Sequence, residues 1–103
     1  MGYTNYWTIE KPISTENFNK ITRELEECEV IFPHLFKIEY IDDNSFTING
    51  WGKDSHETFT VVKNHVGSNS CKTNRKPYDF AVWHILMYMS YLLGKDFEVS
   101  RDR

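Results

Sequence analysis

The stretch Cys71-Lys72-Thr73-Asn74-Arg75-Lys76-Pro77-Tyr78-Asp79 concentrates the side chains best suited to hold a ligand. From Lys63 to Lys76 the chain carries four bases and one histidine but no acid. This basic run feeds the start of an apolar segment of helical character. There, free backbone N–H groups and the positive end of the helix dipole both favour an anion. Lys72 and Arg75 supply charge, and Arg75 can grip a phosphate through two parallel hydrogen bonds. Thr73 and Asn74 add hydrogen-bonding groups, and Tyr78 offers a ring for stacking on a base or ribose. Arg101 and Arg103 join the set on charge alone. The opposing account is a solvated loop in which Asp79 pairs with Lys72 or Arg75, and no glycine-rich phosphate signature decides against it.

Other chemistries have less support in the residues. Cys71 beside Lys72 and Arg75 would be a nucleophile if those cations lowered its pKa, with His34, His56, His65 or His84 as base. No Cys/His motif ties these together. Two cysteines and four scattered histidines show no metal-ligand spacing, so neither a metal nor a cofactor is expected. His84 on an apolar helix reads as a core histidine, or as a pocket wall shared with Tyr88 and Tyr91 at i+4 and i+7. The net charge of −3 disfavours a nucleic-acid polymer as partner. That charge is unevenly divided: residues 1–62 hold eleven acids and five bases, residues 63–103 four acids and seven bases. One basic loop still suffices for a small diphosphate.

The elements that must position these groups follow from periodicity. Tyr3 to Glu10 alternates as a strand until Pro12 breaks it. Ser14 is an N-cap signal, with Ile13 and Phe18 spaced as a hydrophobic staple. Phe18, Ile21, Leu25 and Cys28 form one apolar stripe, and Pro33 ends the helix. Glu24, Glu26, Glu27 and Glu29 fall on or near its wet face. Leu35 to Ile41 places Phe36, Ile38 and Tyr40 on one side of a strand, Asp42-Asp43-Asn44 turns, and Ser45 to Asn49 returns. A second turn spans Gly50 to Ser55, a third strand runs from Glu57 to Lys63, and residues 64–76 read as a polar loop. Tyr78 to Leu93 is an apolar helix between Pro77 and the capping Gly94, and Phe97 and Val99 alternate in a last strand. The expected fold is α+β in the order β-α-β-β-β-α-β, a curved antiparallel sheet packed on a long apolar C-terminal helix.

With 103 residues, the chain is expected to form a single domain over 1–103. The Met1-Gly2-Tyr3 start lacks a signal-peptide pattern, no run is long enough to span a membrane, and two cysteines suit a reducing compartment. A cytoplasmic protein is expected. Phe, Tyr, Met, Ile, Asn and Lys supply 40 residues against 13 from Gly, Ala, Arg and Pro, a skew toward AT-rich codons that suits many phages.

Residues 71–79, followed by the apolar helix and Glu98-Val99-Ser100, resemble a group of short phage proteins in which a C-K-T-x-R-K-P-Y-D segment opens the last helix. The resemblance spans about residues 57–100 and includes Glu57-Thr58-Phe59, whereas the N-terminal third matches only in element order. The family that the chain resembles is the Thoeris anti-defence sponges, small phage proteins that sequester cyclic ADP-ribose-type signals made by bacterial TIR enzymes. The resemblance implies a non-enzymatic homo-oligomer, with ligand pockets at subunit interfaces and Asn74 and Arg75 foremost in binding. The expected function is capture of a small nucleotide-type anion in the host cytoplasm without cleaving it. The rival expectation is an anti-CRISPR-like inhibitor whose Glu24, Glu26, Glu27 and Glu29 mimic a run of phosphates. The apolar helix also predicts a dimer or higher oligomer, with Met87, Met89, Tyr91 or Leu92 at the contact.

Overall fold

The computed structural model describes residues 3–102, so Met1, Gly2 and the candidate Arg103 lie outside the described residues. Inward Asn5, Trp7 and Ile9 alternate with Thr4, Tyr6 and Thr8 to form β1, Thr4–Ile9. Ser14 caps the first helix, its Oγ accepting from the Asn17 N–H at 3.1 Å, and Ile13 and Phe18 are both buried around that cap. This helix, α1, spans Thr15–Ile31 and buries Phe18, Ile21, Leu25 and Cys28, the stripe expected from their spacing.

Strands β2 (Lys37–Ile41), β3 (Ser45–Asn49) and β4 (Phe59–Val62) form one antiparallel sheet in that order. The turn between β2 and β3 is built on Asp42, whose Oδ1 accepts from the N–H groups of Asn44 and Ser45 at 2.8 and 2.9 Å. A register shift between Ile38 and Tyr40 changes which side chains face inward. Tyr40 is exposed and Ile41 packs on the core, correcting the expectation that Tyr40 shares a face with Phe36 and Ile38.

A second correction concerns the expected loop over residues 64–76. Gly67–Lys72 forms a strand, β5, paired antiparallel with β1 from Thr4↔Lys72 to Ile9↔Gly67. Its side chains are mostly small and polar, so the ladder, with a Thr8–Ser68 hydroxyl pair at 3.0 Å, organises it rather than hydrophobic alternation. With β6 (Phe97–Arg101) on the other side of β1, the second sheet has the order β5-β1-β6. The fold is α+β, but with two three-stranded antiparallel sheets instead of one curved sheet, in the order β-α-β-β-β-β-α-β.

The last helix, α2, is Asp79–Leu93. At 15 residues against 17 for α1 it is the shorter of the two, so the expected long apolar C-terminal helix is replaced by a short one. It buries Ala81, Val82, Ile85, Leu86 and Met89 and leaves Phe80, Met87 and Tyr91 exposed. Met89 therefore belongs to the core and not to a surface that a second subunit could meet. Gly94 ends the helix at φ 57°, a left-handed conformation that favours glycine. The core joins both sheets to α1: Trp7 meets Phe59 edge to face at 5.1 Å, and Phe46 lies between Phe18 and Phe59. Among the described residues, no helix is long and apolar enough to cross a membrane.

One backbone approach is tight enough to test. A Cβ on Gly50 would run into the backbone carbonyl of Asp54, where no flexible side chain can give way. Gly50→Ala should therefore cost about 2 kcal/mol, roughly 8–16 °C in melting temperature, which thermal unfolding followed by circular dichroism would read.

Candidate ligand pocket

Asp79 starts α2 with its carboxylate turned back toward the chain that leads into it. Its Oδ1 accepts from Asn5 Nδ2 at 2.9 Å and from Thr73 Oγ1 at 2.6 Å, and its Oδ2 takes a hydrogen bond from the Arg101 guanidinium. The donors come from β1, from the loop after β5 and from β6. The Asp79 and Arg101 side chains are only 15% and 17% exposed, so this pair stands in a largely desolvated setting. The guanidinium is also held between two rings, 4.5 Å from the Tyr3 centroid and 4.1 Å from that of Trp83.

Above this cluster lies an open cavity of about 920 Å³. Its lining combines Arg75, Lys76, Arg101 and the Tyr3 ring with Phe80, Trp83, His84 and Met87 from α2. Arg75 also lies over the Tyr3 ring, its guanidinium carbon 4.8 Å from the centroid. Asp79 is the one carboxylate in the lining, and it is engaged by Arg101. Among the described residues, neither Arg75 nor Lys76 forms an ion pair. The cavity thus joins two uncommitted cations to an apolar, aromatic wall of a size ordinary for small-molecule sites.

The loop that delivers Arg75 is a tight turn. Lys76 N–H donates to Thr73 O at 3.0 Å, and the two residues between, Asn74 and Arg75, have φ of 55° and 59°. Two left-handed residues in that position make a type I′ turn, where glycine or asparagine is favoured and arginine is strained. The N–H groups of Thr73 and Asn74 both donate to Tyr3 O, tying the turn to the start of the chain.

The sequence-derived candidates divide sharply here. Arg75 and Arg101 line the cavity. Asn74 is exposed on the turn but outside the lining, and Thr73 is fully buried beneath it with its hydroxyl on Asp79. Lys72 ends β5, its N–H donating to Glu57 Oε1 at 2.7 Å, and does not line the cavity. Tyr78 is fully buried, its hydroxyl donating to Glu57 O at 2.6 Å. It therefore cannot stack on a ligand: the backbone before α2 turns it into the core. His84 lines the cavity as one sequence reading had it, but Phe80 and Met87 accompany it instead of Tyr88 and Tyr91. Tyr3, Phe80 and Met87 complete the lining beyond the ligand contacts expected from sequence. Tyr3 carries no local signal, since only the β1–β5 pairing brings it beside residue 75.

The two rival chemistries also change. Glu24 Oε2 lies 2.7 Å from His84 Nε2, and Glu29 Oε2 accepts from Ile38 N–H at 3.2 Å. Two of the four acids of α1 are thus tied within the fold. Cys71 is buried, with its pKa pushed up to about 12, first by burial and then by the charges of Glu57 and Asp79. That is the reverse of the lowered value a nucleophile needs. Among the described residues, no cluster of His, Cys, Asp or Glu could hold a metal ion.

At pH 8 a pKa of about 12 leaves about one thiol in ten thousand ionised. A disulfide reagent added at that pH should leave Cys71 unmodified in the native protein and label it promptly in urea, as peptide mass mapping would show. No family model, curated protein or solved structure matches the chain.

Proposed function

We propose that the protein binds a small nucleotide-type anion in the pocket over Asp79 and holds it without cleaving it. The observation that carries this reading is Arg75. It occupies a left-handed position that disfavours arginine, and there its guanidinium lies over Tyr3 in the cavity lining, in no ion pair among the described residues. Strain of this kind concentrates where a side chain has to be delivered to one place. Lys76 provides a second cation for phosphate, while Phe80, Trp83 and His84 provide the flat wall for a base or ribose. A buried, fully protonated Cys71 supports binding over covalent chemistry.

The sequence resemblance narrows the class to cyclic ADP-ribose-type signals, captured in a host cytoplasm as phage counter-defence. The inhibitor reading is weaker than before, because Glu24 and Glu29 are engaged within the fold and leave only Glu26 and Glu27 exposed. A homo-oligomer remains part of the proposal. Val30, Ile31 and Tyr91 are 80%, 66% and 82% exposed, a large apolar display for a free surface. Light scattering at micromolar concentration should give a mass at least twice 12.3 kDa; a clean monomer would remove the oligomer from the proposal.

Titration calorimetry with cyclic ADP-ribose tests the pocket. Arg75→Gly relieves the left-handed strain while deleting the charge. It should weaken binding by roughly 1.5–3 kcal/mol, about one to two decades, and melt within about 1 kcal/mol of the parent. The nucleotide released from the parent by heat should be chemically unchanged. Equal binding by the parent and Arg75→Gly, or a cleaved product, would refute the reading.

A further inference from the structure

His84 stands where the cavity meets α1. Glu24 reaches it from that helix, its Oε2 lying 2.7 Å from His84 Nε2. An ionised carboxylate can only accept, so Nε2 carries the proton of this bond. In a neutral ring so held, Nδ1 is a bare nitrogen that can only accept in its turn. Phe80, one turn earlier on α2, lies along the same ring, the two planes within 11° of parallel and the centroids 6.4 Å apart. Phe80 is itself met edge to face by Phe32 at 5.2 Å. Tautomer and ring plane are therefore both set before any ligand arrives.

The His84 and Glu24 side chains are 41% and 29% exposed, so their pair adds little to stability. Its consequence is directional. Among the described residues Nδ1 has no hydrogen-bond partner, and it is not enclosed, since the side-chain atoms buried without a partner are Asn5 Oδ1 and Arg101 Nε. The two nitrogens of an imidazole point away from each other, and the cavity lining includes no residue of α1. With Nε2 turned to α1, Nδ1 is the nitrogen left for the cavity that His84 lines. Most polar side chains there are of the opposite kind. Arg75, Lys76, Arg101 and Trp83 can only donate, and Asp79 is taken up by Asn5, Thr73 and Arg101. The Tyr3 hydroxyl can turn to donate or accept; His84 Nδ1 cannot.

We infer that His84 Nδ1 accepts a hydrogen bond from a ribose hydroxyl of the bound nucleotide, and that Glu24, outside the cavity, is the positioning residue that makes it an acceptor. This rests on the nucleotide reading of the pocket and names what the pocket selects. In a nucleotide the sugar is bonded directly to the phosphate that Arg75 and Lys76 attract, so its hydroxyls are the nearest donors. The cations serve any phosphate, whereas a fixed acceptor rewards only a ligand that brings a hydroxyl with it. A site built to hydrogen-bond a hydroxyl discriminates strongly against ligands that lack one.

Half of the test needs no ligand and no variant. Nitrogen-15 NMR of the histidine rings at pH 8, where imidazoles are ordinarily neutral, should show His84 protonated at Nε2 and bare at Nδ1. A ring protonated at Nδ1 would overturn the inference. Glu24→Lys sets a donor-only group opposite Nε2 and should reverse the tautomer, and a ring left as in the parent would remove the role given to Glu24. The other half is titration calorimetry in about 0.5 M salt, where added charge is largely screened. Glu24→Lys should weaken cyclic ADP-ribose at least fivefold without weakening pyrophosphate, which has no sugar. The lysine charge by itself would tighten both, so the loss cannot come from charge. Cyclic inosine diphosphate ribose keeps both riboses but lacks the exocyclic N–H of the base, and should weaken equally. A loss confined to cyclic ADP-ribose would assign the donor to the base and overturn the ribose contact. If the parent binds none of the three, the pocket reading fails and this inference with it. If the parent binds them and Glu24→Lys changes nothing, this inference alone fails.

Discussion

A carboxylate taken largely out of water must be given hydrogen bonds, and Asp79 obtains them from three separate parts of the chain. Desolvating a carboxylate costs several kcal/mol, recovered only when good partners surround it. Asn5 from the first strand, Thr73 from the loop and Arg101 from the last strand supply them. The start of α2 is a favourable place for a negative charge, so the helix dipole adds to the stabilisation. One residue thereby fixes where α2 begins, how β1 and β6 meet at that end, and where the Arg101 guanidinium lies. Tyr3 and Trp83 can then close on both faces of that guanidinium, and the floor of the pocket is complete.

Glu57 is a second clasp that acts from the other side of the same loop. Its carbonyl accepts from the Tyr78 hydroxyl and from Cys71 Sγ, its carboxylate accepts from Lys72 N–H, and its own N–H donates to Lys72 O. Lys72 and Tyr78 are thereby fixed from one side while Asp79 holds Thr73 from the other. The short stretch at 74–77 reaches the surface, and the left-handed pair Asn74–Arg75 turns it toward Tyr3. The basic segment looks like a continuous binding loop in sequence, yet the fold divides it into anchors and presenters. Thr73 and Tyr78 are anchors; Arg75 and Lys76 are presenters.

This division explains what could be read from the residues alone. The Ser14 cap, the stripe from Phe18 to Cys28, the β3 strand and the Gly94 terminus are local, and their spacing carries them. β5 is different, because Gly67-Ser68-Asn69-Ser70 has neither alternation nor β-branched residues, and its strand exists through main-chain pairing with β1. Tyr40 follows a register shift that its alternating neighbours do not signal. In the pocket, Arg75 was legible from charge and position, whereas Tyr3 became part of the site only through a pairing across some seventy residues. Tyr78 was misplaced for the complementary reason: an aromatic beside a basic run suits stacking and burial equally well, and a carbonyl at Glu57 decides for burial.

The distribution of charge decides which residues of the pocket an incoming group can use. The chain is net negative, yet the cations that face the cavity are concentrated near the Arg101 end of β6. Arg101 is committed on several sides, to Asp79 and to both rings, so its role in the pocket is mainly to hold shape and potential. Arg75 and Lys76 carry the charge that an incoming group can use.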